Sequence, residues 1–218
     1  MERAAGSVVI IDYGSGNLRS AEKALSRVSA ELATGDDIFV TADPARIPEA
    51  VRIVLPGVGA FGDCMEGLAR IPGMIDALRE AVLRRGVPFL GICVGMQLLA
   101  SVGREFGDHA GLGWIEGEVV ELAPSDPSLK IPHMGWNDLQ LLRPHPLLAG
   151  IAEGANAYFV HSYEFRTRDA GDNLATTDYG GAISAAVARG NIAGVQFHPE
   201  KSQAVGLQFL RNFLTWRP

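Results

Sequence analysis

The sequence has few of the features that mark exported or nucleic-acid-binding chains. It contains only two cysteines among 218 residues, Cys64 and Cys93, and a chain of this size does not need a disulfide for stability. It has no run of lysine and arginine, and its net charge is −6, whereas nucleic acid recruits a basic face. These absences disfavour a disulfide scaffold and a nucleic-acid-binding protein.

Long apolar stretches are also missing. The uncharged residues 86–103 approach the length of a bilayer. Pro88, Gly91 and Gln97 interrupt them, whereas a membrane helix needs about 20 predominantly apolar residues. Residues 1–7 mix charged and small side chains and lack the apolar core of a signal peptide. We therefore expect a cytoplasmic protein.

The first half of the chain alternates short apolar runs with helical periods. With 47% hydrophobic residues, the chain can bury one substantial core, and we expect residues 1–218 to form one domain. The predicted strands are Val8–Ile11, Arg52–Leu55 (ended by Pro56 and Gly57) and Val87–Ile92. The predicted helices contain Leu18–Val28, Pro72–Arg85 and Val94–Val102. This alternation indicates an α/β fold with a mainly parallel sheet.

The second half adds strands without intervening helices. Trp114–Leu122 and Leu139–Leu142 have strand patterns, and Ile183–Arg189 and Ile192–Phe197 flank a short turn that indicates a hairpin. A final helix is predicted over Ala204–Thr215. The expected fold is therefore a parallel core with antiparallel additions.

The most informative local motif is Gly91-Ile92-Cys93-Val94-Gly95, between an apolar run and a helical period. It is the Gly-x-nucleophile-x-Gly elbow with cysteine in place of serine. Small flanking residues permit a sharp turn, and the N-terminus of the following helix favours a thiolate and a developing oxyanion. The alternative is a buried structural cysteine.

A cysteine nucleophile needs a base nearby in space, and His198 in Phe197-His198-Pro199-Glu200 is the best candidate. In an extended backbone, residues two apart project to the same side. Glu200 is therefore expected to orient the imidazole and stabilise its cation. The alternative is an exposed loop histidine beside a solvated glutamate.

Two glycine-rich segments follow predicted strands. Residues 12–17 match neither the dinucleotide fingerprint nor the P-loop, so a strand-edge turn is the simpler interpretation. Residues 56–59 suit either a tight turn or an oxyanion-stabilising loop. No metal site is predicted, because Cys93 and His198 lack the clustered spacing of zinc ligands. Cys64 is expected to be a small buried filler.

Taken together, these segments resemble the class I glutamine amidotransferases, and among them the glutaminase subunits of imidazole glycerol phosphate synthases. Ordered segments over nearly the whole chain carry the resemblance: Asp12–Asn17 (DYGSGN), Pro56–Gly62 (PGVGAFG), Gly91–Gln97 (GICVGMQ), Pro132–Asn137 (PHMGWN), His161–Tyr163 (HSY) and His198–Ser202 (HPEKS). The elbow and His-Pro-Glu segments are shared by many amidotransferases, whereas PHMGWN is far more specific. The resemblance implies a flavodoxin-like sheet flanked by helices, and no cofactor or metal.

The resemblance also implies roles for individual residues. It makes Cys93 the nucleophile that forms a γ-glutamyl thioester, His198 the base and Glu200 its orienting partner. The implied oxyanion donors are Val58, Gly59 and Val94, and the implied glutamine-binding residues are Gln97, Glu105, Ser162 and Tyr163.

The implied partner is a cyclase subunit with a (β/α)₈ barrel, bound as a heterodimer. Asn17, Trp136, Asn137 and Lys201 are expected to face it. The residues alone leave His133 and Trp136 open to another interpretation, a packed turn. The ammonia released here is expected to pass through the barrel, which would form imidazole glycerol phosphate and aminoimidazole carboxamide ribonucleotide in histidine biosynthesis.

Two alternative functions stay open at this point. One is a glutaminase that serves another synthase, such as the one that makes pyridoxal phosphate, although PHMGWN argues against it. The other is a non-catalytic α/β protein that keeps the elbow cysteine as a redox sensor. A sensor needs no His198–Glu200 pair beside Cys93, so the spatial arrangement of these three residues discriminates the two classes.

Overall fold

A computed structural model describes residues 6–218, so the N-terminal segment on which the signal-peptide expectation depends lies largely outside it. The strands of this part of the chain are β1 (Ser7–Ile11), β2 (Asp37–Thr41), β3 (Ala50–Gly57), β4 (Phe89–Cys93), β5 (Val102–Gly103), β6 (His109–Ala110), β7 (Gly117–Glu121), β8 (His133–Asp138), β9 (Gln140–Leu141), β10 (Asn156–His161), β11 (Tyr163–Thr167), β12 (Asn173–Asp178), β13 (Ala182–Arg189) and β14 (Ile192–Val195). The α-helices are α1 (Leu18–Leu32), α2 (Phe61–Ala69), α3 (Met74–Arg79), α4 (Val94–Gln97) and α5 (Gln203–Thr215).

The largest sheet has the order β2-β1-β3-β4-β14-β13-β12-β9. Its first five strands are parallel to their neighbours, and the last three join by antiparallel pairing. The parallel part has the flavodoxin-like strand order, in which ligands bind beyond the carboxyl ends of the strands. This architecture confirms the predicted mainly parallel sheet with antiparallel additions.

The core of the fold consists of apolar strands covered by amphipathic helices. Residues 8–11 of β1 are fully buried, as expected for a strand covered on both faces. The predicted apolar face of α1 is confirmed, since Ala21, Leu25 and Val28 are buried. The predicted hairpin is confirmed as β13 and β14, whose turn contains Gly190 at a φ of 57°. No helix within residues 6–218 has the length and apolar character needed to cross a bilayer.

Several predicted boundaries were wrong, and three of these errors concern β3, α3 and α4. Strand β3 continues through Pro56 to Gly57, because both residues pair with β4. The long helix predicted over Pro72–Arg85 begins only at Met74 and changes at Glu80 into a π-helical turn.

The third error concerns the helix after Cys93, which has four residues instead of nine. Carbonyl groups that would extend it accept bonds from a distant segment instead: Leu98 O from the N–H of Leu112, at 2.8 Å, and Ala100 O from that of Gly113, at 3.0 Å. A helix this short has little macrodipole, so the individual N–H groups at its start matter more than the dipole.

Candidate active site

Cys93 occupies a strained turn at the carboxyl end of β4. Its φ is 56° and its ψ is −115°, a conformation that L residues rarely adopt. The flanking glycines permit the turn, because a Cβ on Gly91 would lie 2.3 Å from the Gly95 carbonyl oxygen and one on Gly95 would lie 1.8 Å from that of Leu55. The motif therefore forms the sharp elbow expected of a nucleophile.

His198 and Glu200 form a buried pair beyond the end of β14. The imidazole Nδ1 lies 2.9 Å from Glu200 Oε1, and each side chain is only 3% exposed. The expected extended geometry was wrong, because a 3₁₀ turn over Pro199–Lys201 brings the carboxylate to the imidazole Nδ1. The His198 N–H donates to the Tyr158 carbonyl, and Ser202 Oγ donates to the His198 carbonyl, so the backbone around the pair is fixed.

The charge of His198 depends on its two neighbours. Burial by itself lowers its pKa, but interaction with the Cys93 sulfur and the Glu200 carboxylate outweighs burial and raises the pKa to about 9. Its Nε2 is buried and has no hydrogen-bond partner at ordinary distance among residues 6–218. The raised pKa favours the imidazolium form of His198, and its unpartnered Nε2 is available to exchange a proton.

A cavity of about 310 Å³ opens in front of this pair. Cys93 and His198 both line this cavity, and Glu200 bonds to the Nδ1 of His198. The other predicted residues that line the cavity are Val58, Gly59, Val94, Gln97, Glu105, Ser162, Tyr163 and Lys201. A cavity with apolar walls and a few convergent polar groups is typical of a small-molecule site.

In the segment after β3, the N–H and carbonyl groups of Val58 are both bonded to Ser15, which does not line the cavity. The Val58 N–H donates to Ser15 Oγ at 3.1 Å, and the Val58 carbonyl accepts bonds from Ser15 Oγ, at 2.5 Å, and from Cys64 Sγ, at 3.3 Å. Tyr13 Oη donates to the Pro56 carbonyl at 2.8 Å. The backbone donor of Val58 is therefore occupied by Ser15.

Residue Gln196 contacts the nucleophile although sequence reasoning gave it no role. Its Nε2 donates to Cys93 Sγ at 3.6 Å, and its Oε1 accepts a bond from Gln97 Nε2 at 2.9 Å. Gln97 Nε2 also donates to the Tyr163 carbonyl, so both of its protons are used within the chain. The sequence shows only an amide at the end of the apolar run that begins at Ile192, which does not by itself indicate this contact.

Two buried histidines adjoin the Tyr163 carbonyl, to which His161 Nδ1 is bonded at 2.9 Å. His133 Nδ1 is 3.0 Å from His161 Nε2, and His133 stacks on Tyr179 with ring centroids 4.0 Å apart. Burial lowers the pKa of both histidines to about 4. Both are therefore neutral near neutral pH.

The two lowered pKa values predict acid destabilisation. An unfolded histidine titrates near 6.5, so between about pH 6.5 and 4 the unfolded chain binds protons that the native pair excludes. We expect the free energy of unfolding to fall by roughly 1–3 kcal/mol per pH unit as the pH decreases through this window. Urea denaturation of the wild type and of His161→Asn at pH 7, 6 and 5 measures the effect. An identical decline in both proteins contradicts the assignment.

The residues predicted to face a partner differ in their exposure. Trp136 on β8 is 47% exposed, its neighbour Met134 is 62% exposed, and Lys201 is exposed with Nζ 5.6 Å from the ring centre of Tyr158. Asn137 is held by the protein itself, since its Nδ2 donates to the Asp178 carbonyl at 2.8 Å and lies 3.2 Å from His133 Nε2. Asn17 precedes α1 and is half-buried.

The two cysteines differ in environment. Both are free thiols, and Cys64 is buried as predicted. Burial raises the pKa of the Cys64 thiol, which keeps it protonated. Within residues 6–218, no cluster of three or more His, Cys, Asp or Glu side chains is arranged to hold a metal ion. The His198–Glu200 pair beside Cys93 has no use in a plain redox sensor and argues for nucleophilic chemistry.

Comparison with known proteins agrees with this geometry. The family model "Glutamine amidotransferase class-I" matches residues 9–216. The chain is 57% identical over 212 residues to "Imidazole glycerol phosphate synthase subunit HisH" of Caulobacter vibrioides, covering 97% of this chain and 99% of the relative. It is 56% identical over 214 residues to the protein of the same name from Agrobacterium fabrum, with the same coverage.

Solved structures share the fold at low sequence identity. A crystal structure of a glutamine amidotransferase superimposes with a TM-score of 0.70 at 20% identity, covering 95% of this chain and 97% of the other. A glutamine amidotransferase of Thermotoga maritima superimposes with a TM-score of 0.65 at 16% identity, covering 91% of this chain and 77% of the other. These two similarities concern the fold alone.

Proposed function

The chain belongs to the class I glutamine amidotransferase family, and we propose that it is the glutaminase subunit of an imidazole glycerol phosphate synthase. The observation that carries the proposal is the cavity in which the Cys93 thiol meets His198, with Glu200 bonded to the far side of the imidazole. Near-full-length identity above 50% to subunits of that synthase supports the choice among amidotransferases.

In the proposed reaction, Cys93 attacks the side-chain amide carbon of glutamine and forms a γ-glutamyl thioester. The thiol proton passes to His198 Nε2 and then to the departing nitrogen, which leaves as ammonia. His198 next removes a proton from water, whose oxygen attacks the thioester and releases glutamate and the Cys93 thiolate. Glu200 keeps the ring oriented and stabilises its cation, consistent with the raised His198 pKa.

The tetrahedral intermediates need donors for a negatively charged oxygen. Val94 begins α4, so its N–H has no partner within that helix and is one proposed donor. The second donor is proposed to come from Val58 or Gly59. Because the Val58 N–H is bonded to Ser15 Oγ, supplying it requires a peptide reorientation. Gly59, with a φ of 96°, lowers the cost of such a change.

Glutamine is proposed to bind with its head group towards the outer part of the cavity. Glu105 provides a carboxylate for the α-ammonium group, and Ser162 and Tyr163 also line the cavity. Glu105 is held in place because its Oε2 accepts a bond from the Phe61 N–H at 2.7 Å. Gln97 lines the cavity as well.

The partner is proposed to be the cyclase subunit, a (β/α)₈ barrel that docks over the cavity mouth to form a heterodimer. Exposed apolar side chains at Trp136 and Met134, beside the charged Lys201, are the composition expected of such an interface. Asn17 and Asn137 are proposed to complete it. Ammonia then passes into the barrel, which makes imidazole glycerol phosphate and aminoimidazole carboxamide ribonucleotide. We place this step in the cytoplasm, in histidine biosynthesis, with the chain acting as one amidotransferase domain.

Titration of this chain with a cyclase barrel tests the proposal directly. We expect glutamine-dependent formation of imidazole glycerol phosphate only when both proteins are present. Trp136→Ala and Lys201→Ala are each expected to weaken association by about tenfold, the loss typical of an interface hot spot. Leu142→Ala removes a 53%-exposed apolar side chain from a different surface and serves as the control. Equal affinities for all four proteins contradict the interface assignment.

A further inference from the structure

A chain of hydrogen bonds reaches the Cys93 sulfur independently of His198. It runs from Asn137 through His133 and His161 to the Tyr163 carbonyl, and from there through Gln97 to Gln196. Gln196 is fully buried and ends the chain at Cys93 Sγ. The separation of 3.6 Å suits an N–H donor and a sulfur acceptor, which is larger than oxygen.

Every bond in this chain has one possible direction. The Asn137 amide nitrogen can only donate, so His133 Nε2 accepts and His133 Nδ1 carries the proton. At the other end, the Tyr163 carbonyl can only accept, so His161 Nδ1 carries its proton and His161 Nε2 accepts from His133. The two ends require the same tautomers, and both rings are neutral.

The same constraint fixes the two glutamine amides. Gln97 Nε2 donates to the Tyr163 carbonyl at 3.1 Å, so its other proton points to Gln196 Oε1. If the Gln196 amide were turned over, its nitrogen would face the nitrogen of Gln97 and its oxygen would face the sulfur. The contact between the two nitrogens would be repulsive, and the oxygen would also repel a thiolate, so Gln196 is held with its N–H towards Cys93.

We propose that Gln196 is a further catalytic residue, whose amide donates a hydrogen bond to the Cys93 thiolate, and that Gln97, His161 and His133 are positioning residues that hold this amide in place. The proposal rests on the proposed glutaminase function and names an additional group in contact with its nucleophile.

The donor answers a physical problem of this site. Cys93 is only 4% exposed, and burial disfavours a thiolate unless donors replace the lost water. A protonated thiol has an alternative acceptor in the Val160 carbonyl, 3.9 Å away, whereas the thiolate needs donors. A neutral amide supplies one without taking the thiol proton, which passes to His198. The chain of hydrogen bonds also begins at Asn137, so it links the proposed interface to the Cys93 sulfur.

The test is the pH dependence of Cys93 alkylation by iodoacetamide in the full chain, followed by peptide mass spectrometry. Cys64, whose thiol pKa burial raises, is the internal reference and is expected to react later. Gln196→Met keeps the side-chain length and removes the donor. We expect it to move the midpoint of Cys93 alkylation about one pH unit higher, since a hydrogen bond to a charged group is worth about that much. The kcat for glutamine is expected to fall about tenfold, with a smaller change in KM.

A second pair of variants tests the positioning residues and does not depend on how Gln196→Met folds. His161→Phe removes the donor to the Tyr163 carbonyl, and we expect a smaller midpoint shift in the same direction. His161→Asn retains a donor near the position of Nδ1 and is expected to restore the wild-type midpoint. His145→Gln is the control and should change nothing. His145 packs on Trp216 and takes no part in the chain of hydrogen bonds.

The outcomes separate this inference from the proposed function. A wild-type midpoint in Gln196→Met overturns the catalytic role of Gln196, even if glutamine turnover is normal in the wild type. Equal midpoints in His161→Phe and His161→Asn overturn the positioning role. The alkylation measurement contains no glutamine, so a failure of the glutaminase proposal appears only in the turnover assays.

Discussion

Cys93→Ala is expected to lower glutamine-dependent ammonia release by about 10⁴-fold or more, the loss typical of removing a catalytic nucleophile. Without Sγ no thioester can form, and neither His198 nor the oxyanion donors provide another nucleophile for the covalent route. The complex with the cyclase should still form imidazole glycerol phosphate from ammonium salts, because that reaction needs no glutaminase. Steady-state assays with glutamine and with ammonium chloride measure the two activities separately.

Two further substitutions distinguish the roles of the neighbouring residues. His198→Ala should lose nearly as much activity as Cys93→Ala, because proton transfer in both half-reactions depends on Nε2. Glu200→Gln should lose less, about 10²-fold. A neutral amide stabilises the His198 imidazolium less than a carboxylate does, but the imidazole itself remains. His145→Gln, at a histidine that packs on Trp216 and does not line the cavity, is the control. Glutamine turnover that survived in Cys93→Ala would falsify the nucleophile assignment.

The second large effect concerns the partner. We expect the glutaminase rate of the isolated chain to be at least about a hundredfold below that of the complex with the cyclase and its nucleotide ligand. The Val58 N–H is bonded to Ser15 in the isolated chain, and the loss of one oxyanion donor costs about 10²- to 10³-fold in rate. Docking of the barrel over Trp136 and Lys201 is expected to favour the reoriented peptide.

Ser15→Ala provides an independent probe of this resting state. It removes the acceptor of the Val58 N–H and the donor to the Val58 carbonyl. Because each such bond contributes about 1 kcal/mol, losing both favours the reoriented peptide by about 2 kcal/mol, and we expect the basal rate of the isolated chain to rise about thirtyfold, with little change in the complex. Ammonia production with and without the cyclase measures both. Equal rates for the isolated chain and the complex would leave only a plain glutaminase.

Local features of this protein could be predicted from the sequence because they depend on neighbouring residues. The β-branched run of β1, the apolar period of α1 and the turn at Gly190 each require only nearby residues, and all three were predicted correctly. The elbow around Cys93 belongs to the same class, since the small size of Gly91 and Gly95 permits the turn. The family resemblance likewise depended on ordered local segments.

The tertiary structure decided the features that depend on residues far apart in the chain. The helix after Cys93 ends at Gln97 because the 112–113 segment takes carbonyls that would extend it. Ser15 bonds to Val58 because β1 and β3 are adjacent parallel strands. Gln196 reaches Cys93, 103 positions earlier, because β14 pairs with β4. A glutamine after an apolar strand has no local signature of this contact, since only the pairing of the strands determines which polar groups share a buried site and must satisfy one another.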